Sequence, residues 1–184
     1  HAGTLDPLAE GLLIVCTGKL TKKISEFQNT EKEYVGTFYI GATTPSFDLE
    51  TPINSKCSIK NINLDRLNLA SQKFLGTLQQ TPPIFSAIKL KGKKLYDYAR
   101  KGEHVELKKR KINISEFKIT KVHLPLVDFK IKCSKGTYIR SIANDFGEEL
   151  KVGAYLHKLI RTSVGDFRLD DAMTLEDFEK IISK

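Results

Sequence analysis

Three side chains stand where rigid backbone would aim them. Asp6 lies in "HAGTLDPLAEG", between Leu5 and Pro7, with Gly3 and Gly11 on either side. Glycine permits backbone angles other residues avoid and proline fixes φ, so the stretch is a shaped turn. A carboxylate held there is a local cap, the commonest use of Asp before Pro, or a functional group presented at a fixed angle. Tyr34 lies in "KEYVGTFYIG", whose alternation is that of a strand, and a half-buried strand tyrosine is its plain reading. Arg140 lies with Gly136 and Tyr138 in "CSKGTYIRSIANDFG", where a strand gives way to a helix. Such a junction turns backbone N–H groups toward an anion. Asp145 and Glu148 follow Arg140 on the same helix, and a surface bridge to either would contribute little. A fourth stretch, "QTPPIFSAIKLKGKKLYDYARKG", joins a Pro-Pro break to a run of bases.

These stretches need elements to position them. "GLLIVCTG" (11–18) is a short apolar run between glycines and predicts a buried strand. "KLTKKISEFQ" sets Leu20, Ile24 and Phe27 at helical spacing, "KEYVGTFYIG" alternates as a strand, and "ATTPSFDLETP" is rich in turn formers. "LDRLNLASQKFLGTLQQ" predicts one amphipathic helix with Leu64, Leu67, Phe74, Leu75 and Leu78 on its apolar face, broken by "TPPIFS". A short helix near "LYDYARKG" follows, then a long strand over 105–122, an alternating strand in "VDFKIKCSKG" and a helix over 138–150. "AYLHKLIRTSVGDF" reads as a strand, and a last helix in "TLEDFEKIIS" takes Thr174 as its N-cap, with Glu176 and Asp177 in its first turn. Strands outnumber helices and hairpin-length turns join most neighbours. The expectation is an α+β fold, a mixed, largely antiparallel sheet flanked by helices, in a single unit spanning 1–184.

Composition limits the classes of function. The 184 residues can bury a substantial core, 40% are hydrophobic and 28% charged, and no apolar run approaches the ~20 residues of a membrane helix. Cys16, Cys57 and Cys133 are widely spaced and odd in number; without a CxxC pair or a His/Cys cluster, neither a zinc site nor a disulfide framework is expected. No metal and no cofactor is called for, and the cytoplasm is the expected compartment. The formal net charge is +8, with bases concentrated over 89–111. That strip is a solvated lysine-rich face or a surface for phosphates, since clustered bases interleaved with tyrosines suit a nucleic-acid backbone.

In this order, the four stretches resemble the TruB family of tRNA pseudouridine synthases, and the resemblance runs from His1 to about Glu176. "GTLDPLA" and "CSKGTYIR" are its most specific phrases. In that family a stretch with a "KP" strand precedes the histidine, so the chain is expected to be N-terminally truncated. It is likewise expected to be without the C-terminal PUA-type RNA-binding domain of many members. The resemblance implies the pseudouridine synthase catalytic fold and the isomerisation of a specific uridine in the T-loop of tRNA, by a monomer without cofactor or membrane. Asp6 aligns with the family's catalytic aspartate, Tyr34 with the tyrosine that stacks on the target base, and Arg140 with the arginine that pairs with the aspartate. His1, Tyr138 and Leu159 align with residues that bind or wall in the extruded nucleotide, with Ile14 as a second apolar wall. Lys19, Lys22 and Lys23 would join the basic strip on the RNA backbone. In "GATTPSFDLET" the chain departs from the family pattern at Pro45, Ser46 and Thr51 but keeps Asp48, which is placed among the substrate-binding residues.

Three alternatives stand beside this reading. A non-catalytic RNA-binding or RNA-chaperone module needs only the basic strip and gives no reason for Asp6 and Arg140 to meet. A glycoside hydrolase-like enzyme needs a second acid, for which Asp48 is the candidate. A third reading makes the chain an inactive member of the family, for want of its first strand.

Overall fold

Every second residue from Leu126 to Cys133 is buried, so Val127, Phe129, Ile131 and Cys133 face a core while Asp128, Lys130 and Lys132 face the other way. That period of two makes a strand with one dry face. In the computed structural model, which describes residues 1–86, 89–90, 92–100, 105 and 107–183, it is a central strand of the main sheet. In chain order the strands are β1 (Ala9–Gly11), β2 (Lys32–Ile40), β3 (Ala42–Thr43), β4 (Ser55–Lys56), β5 (Gly76–Gln80), β6 (Lys89–Leu90), β7 (Lys93–Lys94), β8 (Arg110–His123), β9 (Leu126–Cys133), β10 (Ala154–Val164) and β11 (Phe167–Arg168). The helices are α1 (Ile24–Asn29), α2 (Leu64–Gln72), α3 (Leu95–Arg100), α4 (Ile139–Leu150) and α5 (Leu175–Ile182).

The main sheet has seven strands in the order β1-β10-β2-β9-β8-β5, with β11 folded back on β10. β1 runs parallel to β10, and the other pairings in this sheet are antiparallel. The fold is therefore α+β with a mixed, largely antiparallel sheet, as the sequence predicts. α2 and α4 close the core on one face. Leu67 and Ala70 from α2 and Ile142, Ala143, Phe146 and Leu150 from α4 pack with Phe38, Ile40, Phe129 and Ile131 of the sheet. Phe38 stacks on Phe129 at 4.0 Å, the rings of Phe117 and Phe146 pack on Phe38, and Phe74 packs on both of these. Each fully buried ring stabilises the fold by about 1.5–3 kcal/mol. The opposite face carries charge: Glu33 lies 2.9 Å from Lys130 and 3.6 Å from Lys132, and Glu116 lies 3.5 Å from Lys132 and 3.3 Å from Lys118.

Several boundaries differ from the sequence expectation. Residues 11–18 do not form a strand. The β1 ladder stops at Gly11 (φ +107), after which Leu12 alone enters the core while Leu13 and Val15 are exposed. The helix expected through Gln80 ends at Gln72: the chain turns at Gly76 (φ +86), and residues 76–80 pair with β8 as β5. Tertiary pairing overrides the local helical pattern there, and Leu64 and Leu75 are exposed. Residues 19–28 begin as a 3₁₀ turn, Gly18–Lys23, before α1, and Leu20 is exposed. The long strand starts at Arg110, not 105. α4 and α5 lie where predicted, and Thr174 Oγ1 caps α5 by accepting from Asp177 N–H at 3.1 Å. Of the basic strip, β6, β7 and α3 are seen, whereas Lys91, residues 101–104 and residue 106 lie outside the described residues.

Candidate active site

The turn that carries Asp6 is closed by its own backbone: Ala9 N–H donates to the Asp6 carbonyl at 2.9 Å. The cap role falls to the main chain and the carboxylate is left for other work. Both of its oxygens meet Arg140, 134 residues away in the first turn of α4, with Nη2 donating to Oδ1 at 2.7 Å and Nε to Oδ2 at 2.9 Å. This is the two-point pairing that planar guanidinium makes best. Arg140 does not bridge to Asp145 or Glu148 on its own helix. Its Nη1 donates instead to the carbonyls of Phe85 (2.9 Å) and Ser46 (3.3 Å), and Asp48 Oδ2 lies 3.5 Å from Nε. Burial works against the Arg140 charge, but the Asp6 hydrogen bonds and the charges of Asp6 and Asp48 outweigh it and raise the guanidinium pKa. The two carboxylates differ in access: the Asp6 side chain is 27% exposed and Asp48 only 5%. Asp48 Oδ1 also accepts from Glu50 N–H at 2.9 Å, so this acid is committed to structure and is not free for glycosidase chemistry.

Asp6 opens onto a cleft of ≈ 830 Å³ that Tyr34, Tyr138, Leu159 and Arg161 also line. Tyr34 comes from β2 and Leu159 from β10. These two share a face because β10 carries an irregularity between Leu156 and Lys158. One extra residue, His157, reverses the alternation, so Leu159 pairs with Gly36 and Arg161 with Tyr34 on the core side. Burial pushes the Tyr34 phenol up to about 12; the Asp6 charge adds to this and the neighbouring Arg161 opposes it. Tyr138 caps α4 at the cleft wall, with Arg110 5.6 Å over its ring.

The segment before the basic strip is tied to the start of α4. The Gln80 amide bonds both ways with the Tyr138 main chain, accepting from N–H at 2.8 Å and donating to C=O at 3.0 Å. Ser141 Oγ donates to the Thr81 carbonyl at 2.8 Å, and Arg140 holds the carbonyl of Phe85.

The remaining expected site residues lie outside this cleft. His1 is exposed beside Ala2 at its rim, Lys19 is exposed on the 3₁₀ turn, Ile14 does not line it, and Asp48 faces a smaller recess that shares Asp6 and Leu159. Sequence reasoning missed four residues here. Arg161 is buried and donates to the carbonyls of Leu12 and Gly3. Lys32, also buried, donates to the carbonyls of Phe27, Gln28 and Thr30 and so caps the C-terminus of α1. Gln80 is the third, and Ser86, whose buried hydroxyl has no partner among the described residues, is the fourth. The available signal was a charged side chain in an otherwise apolar strand, as in "LIRT". Among the described residues no group of three or more His, Cys, Asp or Glu is placed to hold a metal, and no helix is long and apolar enough to cross a membrane.

Comparison with known proteins places the whole chain. Residues 1–139 match the model of the TruB family pseudouridylate synthase N-terminal domain, and residues 140–184 match that of the tRNA pseudouridylate synthase B C-terminal domain. The chain is 54% identical over 180 residues to a tRNA pseudouridine synthase B of Flavobacterium johnsoniae, covering 98% of this chain and 79% of that one. It is 52% identical to that of Phocaeicola vulgatus, covering 97% and 76%. Among solved structures it resembles one chain of a Cbf5-Nop10-Gar1 complex, with a TM-score of 0.72 and 26% identity over 96% of this chain and 44% of that chain.

Proposed function

We propose that this chain, which belongs to the TruB family of pseudouridylate synthases, isomerises uridine to pseudouridine in tRNA with Asp6 as the acting carboxylate. The observation that carries this reading is the two-point pairing of Asp6 with Arg140 at 2.7 and 2.9 Å, on the wall of a cleft that also holds Tyr34 and Leu159. A module that only binds RNA has no use for such a pair.

In the reaction the bond from the sugar C1′ to N1 of uracil breaks, the base turns while held, and C1′ joins C5. The C5 hydrogen leaves as a proton and N1 takes one up, so no electrons are gained or lost. A carboxylate serves by attacking C1′ or by removing the 2′ proton, and both need it ionised and aimed. Arg140 supplies the aim: its planar fork bonds both carboxylate oxygens and fixes their direction. Asp48 acts at one remove, by holding Arg140. Flipping the nucleotide out of its stack costs a few kcal/mol. Stacking on the Tyr34 ring returns roughly 1–3 kcal/mol, and Leu159 and Tyr138 wall in the base.

The T-arm of tRNA is the proposed target, recognised chiefly by shape. Lys19, Lys22, Lys23 and the strip over 89–111 would meet its phosphates, and His1 the rim of the bound nucleotide. One sheet supplies Tyr34 and Leu159 and is continuous with the turn and helix that supply Asp6 and Arg140, which supports a single catalytic unit acting as a monomer. Three free cysteines fit a reducing cytoplasm.

The test is tritium release from C5-tritiated uridine in tRNA. Asp6→Asn should bind tRNA as the parent does and unfold at the same urea concentration, because Asp48 still compensates the buried Arg140. It should release no tritium. A comparable rate in that variant would remove Asp6 from the chemistry, and joint loss of binding and fold would make it a turn residue.

A further inference from the structure

Arg161 is one of the largest fully buried side chains in the molecule, 2% exposed at the floor of the cleft, and among the described residues it forms no ion pair with a carboxylate. A buried guanidinium without an acid is costly unless its donors are satisfied. Here main-chain oxygens take two of them, Nε donating to Leu12 C=O at 2.7 Å and Nη2 to Gly3 C=O at 3.1 Å, and a side-chain hydrogen bond links the guanidinium to Tyr34. Those carbonyls flank the Asp6 turn, one on each side. The main chain of Arg161 grips the same turn, its carbonyl accepting from Leu12 N–H at 2.8 Å and its backbone facing Gly11 in the β1–β10 ladder. The approach is close enough that a Cβ on Gly11 would lie 2.7 Å from Arg161 N. On its other side Arg161 is the cross-strand partner of Tyr34.

We propose that Arg161 is a positioning residue for the isomerisation, locking both ends of the Asp6 turn to β10 and thereby fixing the Asp6 carboxylate relative to the Tyr34 ring. Arg140 aims the carboxylate and Arg161 places the backbone that bears it. The geometry asks for arginine in particular. One edge of the planar fork bonds two separate carbonyls at once, whereas the single ammonium of lysine keeps the charge and loses the fork. A hydrophobic residue of similar volume would fill the space and hold neither carbonyl.

This role rests on the tRNA-isomerising reading, and one set of measurements separates the two. The parent chain, Arg161→Lys and Arg161→Gln are compared in single-turnover tritium release at saturating tRNA, in tRNA Kd at fixed salt, and in urea unfolding, with rates normalised to the folded fraction. Arg161→Gln buries no unpaired ammonium and guards against a lysine variant that fails to fold. Both variants should bind tRNA with the parent's Kd and lose roughly 100-fold in rate, the scale of a 1 Å misplacement of a reacting group. An unchanged normalised rate in either variant overturns the positioning role. So does a defect that saturating tRNA abolishes, because Arg161 would then serve binding or stability alone. An inactive parent that binds tRNA overturns the isomerase reading, and the positioning role with it.

Discussion

A phenol that titrates at about 12 is neutral wherever the protein works: at pH 7 about one molecule in 10⁵ carries the phenolate, by the ordinary titration relation. In the free protein Tyr34 therefore offers a ring and a neutral hydroxyl, not a base. Tyr34→Leu should weaken tRNA binding by about 1–3 kcal/mol, the worth of a stacked base, while Tyr34→Phe should leave Kd unchanged. An equal Kd for the leucine variant would deny the stacking role. An ultraviolet phenol titration should lose a component near pH 12 in Tyr34→Phe. Because the folded value lies above the ordinary 10.0, Tyr34 leaves stability unchanged below pH 10 and reduces it as pH rises from 10 through about 12, by about 1.4 kcal/mol per unit. At this scale the pairing of Asp6 with Arg140 was legible through the family resemblance of "GTLDPLA" and "CSKGTYIR" taken together, since each residue alone reads equally as a turn cap or a surface bridge. Arg161 was not, since its meaning depends on two carbonyls that lie far from it along the chain.

Elements were harder to read than residues. The span 64–80 has a continuous helical pattern, yet it is a helix, a glycine turn and an edge strand, because β8 offers a ladder that the sequence does not display. The β10 irregularity at His157 is equally hidden: alternation read straight through "AYLHKLIRT" would place Leu159 and Arg161 on the outer face. Strand β2 has its own unadvertised constraint at Gly36, where an added Cβ would lie 2.8 Å from Phe129 Cζ and collide with the Lys158 carbonyl. Gly36→Ala should therefore cost about 1–3 kcal/mol, the usual range for overpacking, seen as a lower urea midpoint with an unchanged slope. A midpoint equal to the parent's would mean that β10 yields at its irregularity without cost. The helices over 138–150 and near the C-terminus were legible because caps and apolar spacing agreed, and nothing in the sheet competed for them.

Across the whole molecule, charge divides the two faces of the sheet. On the outer face burial pushes Glu33 and Glu116 up, but hydrogen bonds and charges from Lys118, Lys130 and Lys132 outweigh it and hold both below the ordinary 4.5. The Glu33 hydrogen bond raises Lys130 above 10.5. The stabilisation from the glutamates is complete above pH 4.5 and is lost as pH falls through their lowered folded values. That from Lys130 is present below pH 10.5 and is lost as pH rises past it. Glu33→Gln should flatten the acid limb of the stability profile, and molar salt should do the same to the parent by screening. A variant with the parent's acid limb would show that these bridges contribute nothing. The sequence displays the surplus of bases but not which lysines are spent against acids, because that depends on strand register.

The double hydrogen bond between Gln80 and Tyr138 changes how the start of α4 breathes. The first amides of a helix have no carbonyl a turn earlier to bond and exchange with solvent readily. Tyr138 N–H is already engaged by a side chain that is itself buried, so its deuterium uptake must wait until β5 loosens from α4. With Thr81 and Phe85 tethered to the same turn, fraying there becomes a joint event of edge strand, Pro-Pro segment and helix. The guanidinium that aims Asp6 thus sits in a cooperative opening unit, not at a loose helix end.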